Sequence, residues 1–149
     1  GAVAFSAVLF SILHGVNPGF SWLGLGNIAL VGVLFSLTVL ATNRLWVATG
    51  AHAAWNLILG PFAGFRVSGM DMGGLCEVRL TGSDLWTGGA FGPEGSLAVT
   101  LALALAVLVV APFAIGRLRW AEPADTEASR PLAGTLAPAP DPAGSESET

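Results

Sequence analysis

The sequence predicts an all-α fold: a polytopic transmembrane helical bundle of about four helices followed by a disordered C-terminal tail. Three observations carry that prediction. Hydrophobic residues make up 53% of the chain and charged residues only 11%, whereas a water-soluble domain keeps roughly a quarter of its residues charged. No Asp, Glu, Lys or Arg occurs before Arg44. Long uncharged runs are separated by Gly, Pro and Arg, the residues that break helices and mark membrane edges.

The first run, Ala2 to Leu13, is shorter than the ~20 residues a hydrocarbon core requires, and reads as the C-terminal part of a helix that began upstream. Gly15, Asn17, Pro18 and Gly19 end it. Leu23 to Ala41 is uncharged and, at about 1.5 Å per residue, reaches about 28 Å, enough to span. Gly32 and Ser36 on it form a small-xxx-small pair that lets a neighbouring helix approach closely. A Thr42-Asn43-Arg44 turn leads to a third helix, Leu45 to about Leu59, expected to close at Gly60 and Pro61. Residues 61–96 read as a Gly-rich extramembrane or re-entrant loop holding Asp71, Glu77, Asp84 and Glu94. Leu97 to Ile115 is the last helix, interrupted by Pro112 and stopped by Gly116 and the Arg117/Arg119 pair.

Residues 1–120 carry five Arg against four acids, whereas residues 121–149 carry one Arg against six. The division 1–120 and 121–149 follows: a membrane domain, then an acidic Pro/Ala-rich tail with too little apolar surface to offset the entropy of ordering. Arg44, Arg117 and Arg119 fall at one face of the bundle and Arg66 and Arg79 at the other, which favours a cytoplasmic C-terminus. No basic stripe points to nucleic acid, and Lys is absent. Cys76 is the only cysteine, so neither an intrachain disulfide nor a Cys-based metal cluster can form within one chain; it reads as a small filler residue in a loop.

Two histidines, His14 and His52, are the only ones in the chain, and each lies on an apolar helix where an ionisable group is costly and marks function. Phe10-Ser11-Ile12-Leu13-His14 reads F-x-x-x-H, and His52-Ala53-Ala54-Trp55-Asn56 reads H-x-x-x-N. Residues four apart share a helix face, so His52 and Asn56 present an imidazole and an amide side by side, and Phe10 packs one turn before His14. His14 ends its run while His52 lies near the middle of its own. With one span between them the two helices run parallel, and the histidines reach one depth only if the first helix continues past Gly15 or the third starts deeper.

From about Phe5 to Leu59 the chain resembles the CPBP family, the CAAX-protease and bacteriocin-processing (Abi) group of membrane proteases. The order matches: an F-x-x-x-H helix, a Gly-rich linker, an intervening helix, then H-x-x-x-N. Thr87-Gly88-Gly89-Ala90-Phe91-Gly92-Pro93-Glu94-Gly95 resembles a glycine-rich loop that many bacterial members place before a last helix; as a plain structure it is a Gly-Pro turn with Glu94 near a helix N-terminus. The resemblance implies an intramembrane endopeptidase acting on a peptide or protein substrate at the bilayer, in the bacterial cytoplasmic membrane. It assigns His14, His52 and Asn56 to catalysis, His14 to the attacking water and His52 with Asn56 to the oxyanion. The family's E-E-x-x-x-R element belongs on an upstream helix, and no Glu-Glu pair occurs in this sequence. The general base is therefore expected outside these residues, the 149 residues alone are expected to be inactive, and Glu94, expected at the membrane surface, is expected to be dispensable.

A zinc reading competes, since His14 and His52 with one carboxylate would leave a position open for water; Asn is a poor zinc ligand. A metal-bound water and a glutamate-activated one both stay open. The alternative function is a non-catalytic scaffold or bacteriocin-immunity protein of the same fold, in which the His/Asn pair only holds helices together.

Overall fold

The computed structural model describes residues 1–120, and the tail expected over 121–149 lies outside them. Among the described residues there is no strand, only an isolated bridge between Val67 and Met70. The elements are α1 (Ala2–His14), α2 (Trp22–Thr42), α3 (Leu45–Leu57), a short α4 (Asp84–Thr87) and α5 (Leu97–Trp120).

Ser21 starts α2, its hydroxyl accepting the Gly24 N–H at 3.2 Å. Asn43, in the left-handed conformation at φ 56°, ends it. The third helix departs from expectation. It does not close at Gly60 but continues from α3 into a π-helical turn, Ile58–Phe62. There the Ala63 N–H reaches back to the Ile58 carbonyl and Pro61, which has no N–H to donate, sits inside the wider turn. The last helix likewise runs through Pro112 and Gly116 to Trp120. A proline removes one helical hydrogen bond, and in a lipid setting the other backbone groups have no partner better than the helix itself.

Helix α2 is central, packing on α1 along one flank and α5 along the other, with α3 against a smaller area. Gly32 sets the α1 contact: a Cβ there would stand 2.7 Å from the Ala7 Cα, so only glycine permits this approach. Ser11 Oγ donates to the Leu25 carbonyl at 2.8 Å, making α1 and α2 antiparallel. Helix α5 runs parallel to α2, since Asn27 meets Thr100 near their starts and Arg117 reaches the Ala41 carbonyl near their ends. The loop of residues 63–96 therefore lies at one end of the bundle, and Arg44 and Arg117 at the other, as the Arg distribution predicts.

Helices α2 and α5 have mean hydropathies of 2.1 and 2.7 over 18-residue windows and are long enough to cross a membrane. Only 22% and 6% of those windows are buried, unlike the core helix of a soluble domain. Apart from Ile28, the buried helix positions are small or polar, such as Ala7, Ser11, Asn27 and Ala114, while Leu105, Leu108 and Phe113 face outward. Small residues inside and large apolar ones outside is the arrangement of a bundle solvated by lipid.

Candidate active site

His14 is the last residue of α1 and His52 lies five residues before the end of α3. Helix α1 does not continue past Gly15 and α3 starts at Leu45 as expected, so neither shift that would bring His14 and His52 to one depth occurs. Phe10 joins them, its ring centroid 4.5 Å from that of His14 and 5.6 Å from that of His52. Phe35 of α2 closes the group at 5.5 Å from His52. Both imidazoles line one cavity of about 320 Å³, together with Phe10, Trp55, Asn27 and Glu94; most of its wall is apolar.

The hydrogen bonds assign the ring protons. His14 Nδ1 lies 2.7 Å from the Phe10 carbonyl oxygen, which can only accept, so Nδ1 carries the proton and Nε2 keeps a lone pair. Asn56 Nδ2 lies 3.2 Å from His52 Nε2. The amide N–H donates, so His52 Nε2 is the acceptor and its Nδ1 carries the proton. One imidazole thus offers a base and the other a donor. Asn56 meets the site through His52 and is not itself part of the cavity wall.

Glu94 corrects the sequence reading. It is not a solvated surface carboxylate but is 7% exposed and lines the cavity with the histidines. Oε1 accepts the Trp55 Nε1–H at 2.8 Å, and Oε2 accepts the Ser68 hydroxyl at 2.7 Å and also the Ser68 backbone N–H. The turn brings it inward because Gly92 adopts φ 89°, ψ −177°, a conformation open essentially to glycine, and a Cβ there would stand 2.3 Å from the Arg66 carbonyl oxygen. The premise that no carboxylate of this chain reaches the histidines' surroundings is overturned with it.

Asn27 is the second residue that sequence reasoning missed. It is 1% exposed, donates to the Glu94 and Ser96 carbonyls at 2.8 and 3.0 Å, and accepts the Thr100 hydroxyl at 2.8 Å. A signal existed, because an amide in an otherwise apolar span needs polar partners. For Ser68 and Trp55 no such signal existed.

Among the described residues no three His, Cys, Asp or Glu side chains converge on one point. His52 Nε2 is already bonded to Asn56, and the Glu94 oxygens to Trp55 and Ser68. The described residues do not fit a zinc centre.

Helices long enough to span, a lipid-type burial pattern and a histidine pair on one cavity together define a helical membrane protein with a polar site within the bundle. Residues 1–58 match the family model described as type II CAAX prenyl endopeptidase Rce1-like, and are similar to that protease family. The matched stretch contains His14, His52 and Asn56 and stops short of Glu94. No curated protein and no solved structure matches the chain.

Proposed function

We propose that the chain forms the histidine-bearing part of an intramembrane endopeptidase that hydrolyses a peptide bond of a membrane-proximal substrate. The observation that carries this reading is the pairing of complementary tautomers on one cavity: His14 with a free Nε2 lone pair and His52 with a free Nδ1–H. Peptide hydrolysis needs a group that takes a proton from water and a donor for the negative charge developing on the carbonyl oxygen. His14 serves the water and His52 the oxyanion, while Asn56, by donating to Nε2, holds His52 in the tautomer that can donate. The largely apolar wall lowers the local dielectric and strengthens both interactions. The resemblance adds a glutamate pair as the principal base, supplied from outside these residues.

The test is cleavage of a membrane-proximal peptide by the protein expressed from its complete gene and purified in detergent, with the 149-residue chain assayed beside it. His14→Ala and His52→Ala are expected to lower turnover by about 10²–10³, the usual effect of losing one such group. A metal chelator is expected to leave turnover unchanged. Cleavage by both histidine variants at the wild-type rate would remove the histidines from the catalytic machinery, and no cleavage by the wild type would leave the scaffold reading standing. Loss of activity with the chelator, restored by zinc, would replace the metal-free mechanism.

A further inference from the structure

Glu94 lies outside the stretch that matches the protease family, and its surroundings give it a task of its own. We infer that Glu94 is a positioning residue which, through Trp55, fixes the rotation of α3 and so aims His52 at the cavity; this rests on the endopeptidase reading for its catalytic consequence.

Trp55 is the residue next to Asn56 and follows His52 by about one helical turn. Whatever holds its indole sets the angle at which α3 presents the histidine. Helix α3 has little else to set that angle, since it packs on α2 over a small area and meets α1 through the Phe10 ring, and Leu45, Trp46, Leu57 and the following Ile58 are exposed. The Trp55 ring is partly exposed too, but its Nε1–H reaches the buried carboxylate.

The carboxylate is itself fixed from other elements. Ser68 donates to it twice while held at φ 48°, a left-handed conformation costly for a residue with a side chain and retained only where the surroundings determine it. The Glu94 carbonyl accepts from Asn27, which ties the same residue to α2 and, through Ser96 and Thr100, to the start of α5. A single residue thereby links α2, α3, α5 and the loop.

Its bonding also argues against proton transfer. Three donors already occupy the two oxygens, and a carboxylate has about four lone-pair sites. The one site left is on Oε1, which already accepts from Trp55, so a proton taken up there would weaken the bond that holds the indole at the moment of reaction. A buried carboxylate held by neutral donors is costly to maintain. Fixing the geometry of an adjacent catalytic helix accounts for that cost.

The experiment compares Trp55→Phe, Glu94→Gln and the double variant in detergent-solubilised protein from the complete gene, with peptide cleavage over a range of pH and the rate of diethyl pyrocarbonate modification of His52. Trp55→Phe keeps an aromatic ring and removes only the donor, so it folds where a bolder change at Glu94 fails. Each single variant is expected to lower kcat by about 10–10², the scale of a misaligned catalytic group. KM and the shape of the pH profile should not change, and the double variant should be no worse than the weaker single, because both break one link. His52 should be modified severalfold faster in each. Full activity in Trp55→Phe with an abolished, pH-flattened rate in Glu94→Gln would make Glu94 the general base and overturn the inference. If the wild type cleaves nothing, the endopeptidase reading fails by itself, and the modification rate still decides: unchanged His52 reactivity in both variants would overturn the positioning role.

Discussion

An amide donating to one nitrogen of an imidazole decides what the other nitrogen can do, so Asn56 is more than a polar neighbour of His52. Replacing it with Asp keeps the shape but substitutes an acceptor, which would draw the proton onto Nε2 and leave Nδ1 as a lone pair. Asn56→Asp is therefore expected to lower turnover by about as much as Asn56→Ala, on the order of 10²–10³, and neither should add to His52→Ala, because the pair acts as a unit. Near wild-type kcat in Asn56→Asp would show that the tautomer is irrelevant. His14, His52 and Asn56 were legible in the sequence because polar groups on uncharged helices stand out and helical spacing puts two of them on one face. Glu94 was not, since a carboxylate in a Gly-Pro turn has no local mark of burial. What buries it is a tertiary event, the meeting of Trp55, Ser68 and the turn across separations of 39 and 26 residues.

Glycine carries the same contrast at the level of elements. Gly32 was legible as half of a small-xxx-small pair, and α1 does approach there, with no room for a Cβ beside Ala7. Ser36, the other half, turns its hydroxyl back to the Gly32 carbonyl at 2.8 Å. Gly60 and Gly116 were read as stops, and the helix passes through both. The rule that glycine and proline end helices is learned where water can take over the freed backbone groups, and it weakens where lipid cannot. Gly32→Val should separate α1 from α2 and cost about 1–3 kcal/mol, the usual penalty of overpacking, measured as lost resistance to denaturant in detergent. Because α1 carries Phe10 and His14, activity should fall with it. Gly26→Val is the control: nothing lies within 4 Å of a Cβ there, so it should be silent. Equal effects at both positions would mean that Gly32 matters for helix propensity and not for close approach.

At the scale of the whole molecule, the exposed leucines, phenylalanines and valines describe the solvent. Trp22 starts α2, Trp46 lies at the start of α3 and Trp120 ends α5, all strongly exposed, where interfacial aromatics of a membrane protein belong. The topology then has a definite sidedness. Helices α2 and α5 run parallel, and the loop bearing the exposed Cys76 joins the end of α3 to the start of α5, at the opposite end from Arg44, Arg117 and Arg119. The arginine excess at that second end predicts that it lies in the cytoplasm. The native cysteine therefore reports one face without any engineering, and a single cysteine at Asn43 in a Cys76→Ser background reports the other. In right-side-out vesicles an impermeant maleimide is expected to label Cys76 and to label the Asn43→Cys variant only after the membrane is opened. The reverse pattern would invert the orientation while keeping the spans. Labelling of both from one side would mean that α3 does not cross with α2, and the parallel pairing of α1 and α3 that brings His14 and His52 to one cavity would fall with it. Alkaline carbonate should leave the chain in the membrane pellet in every case, because removing it would expose the apolar faces of α2 and α5 to water.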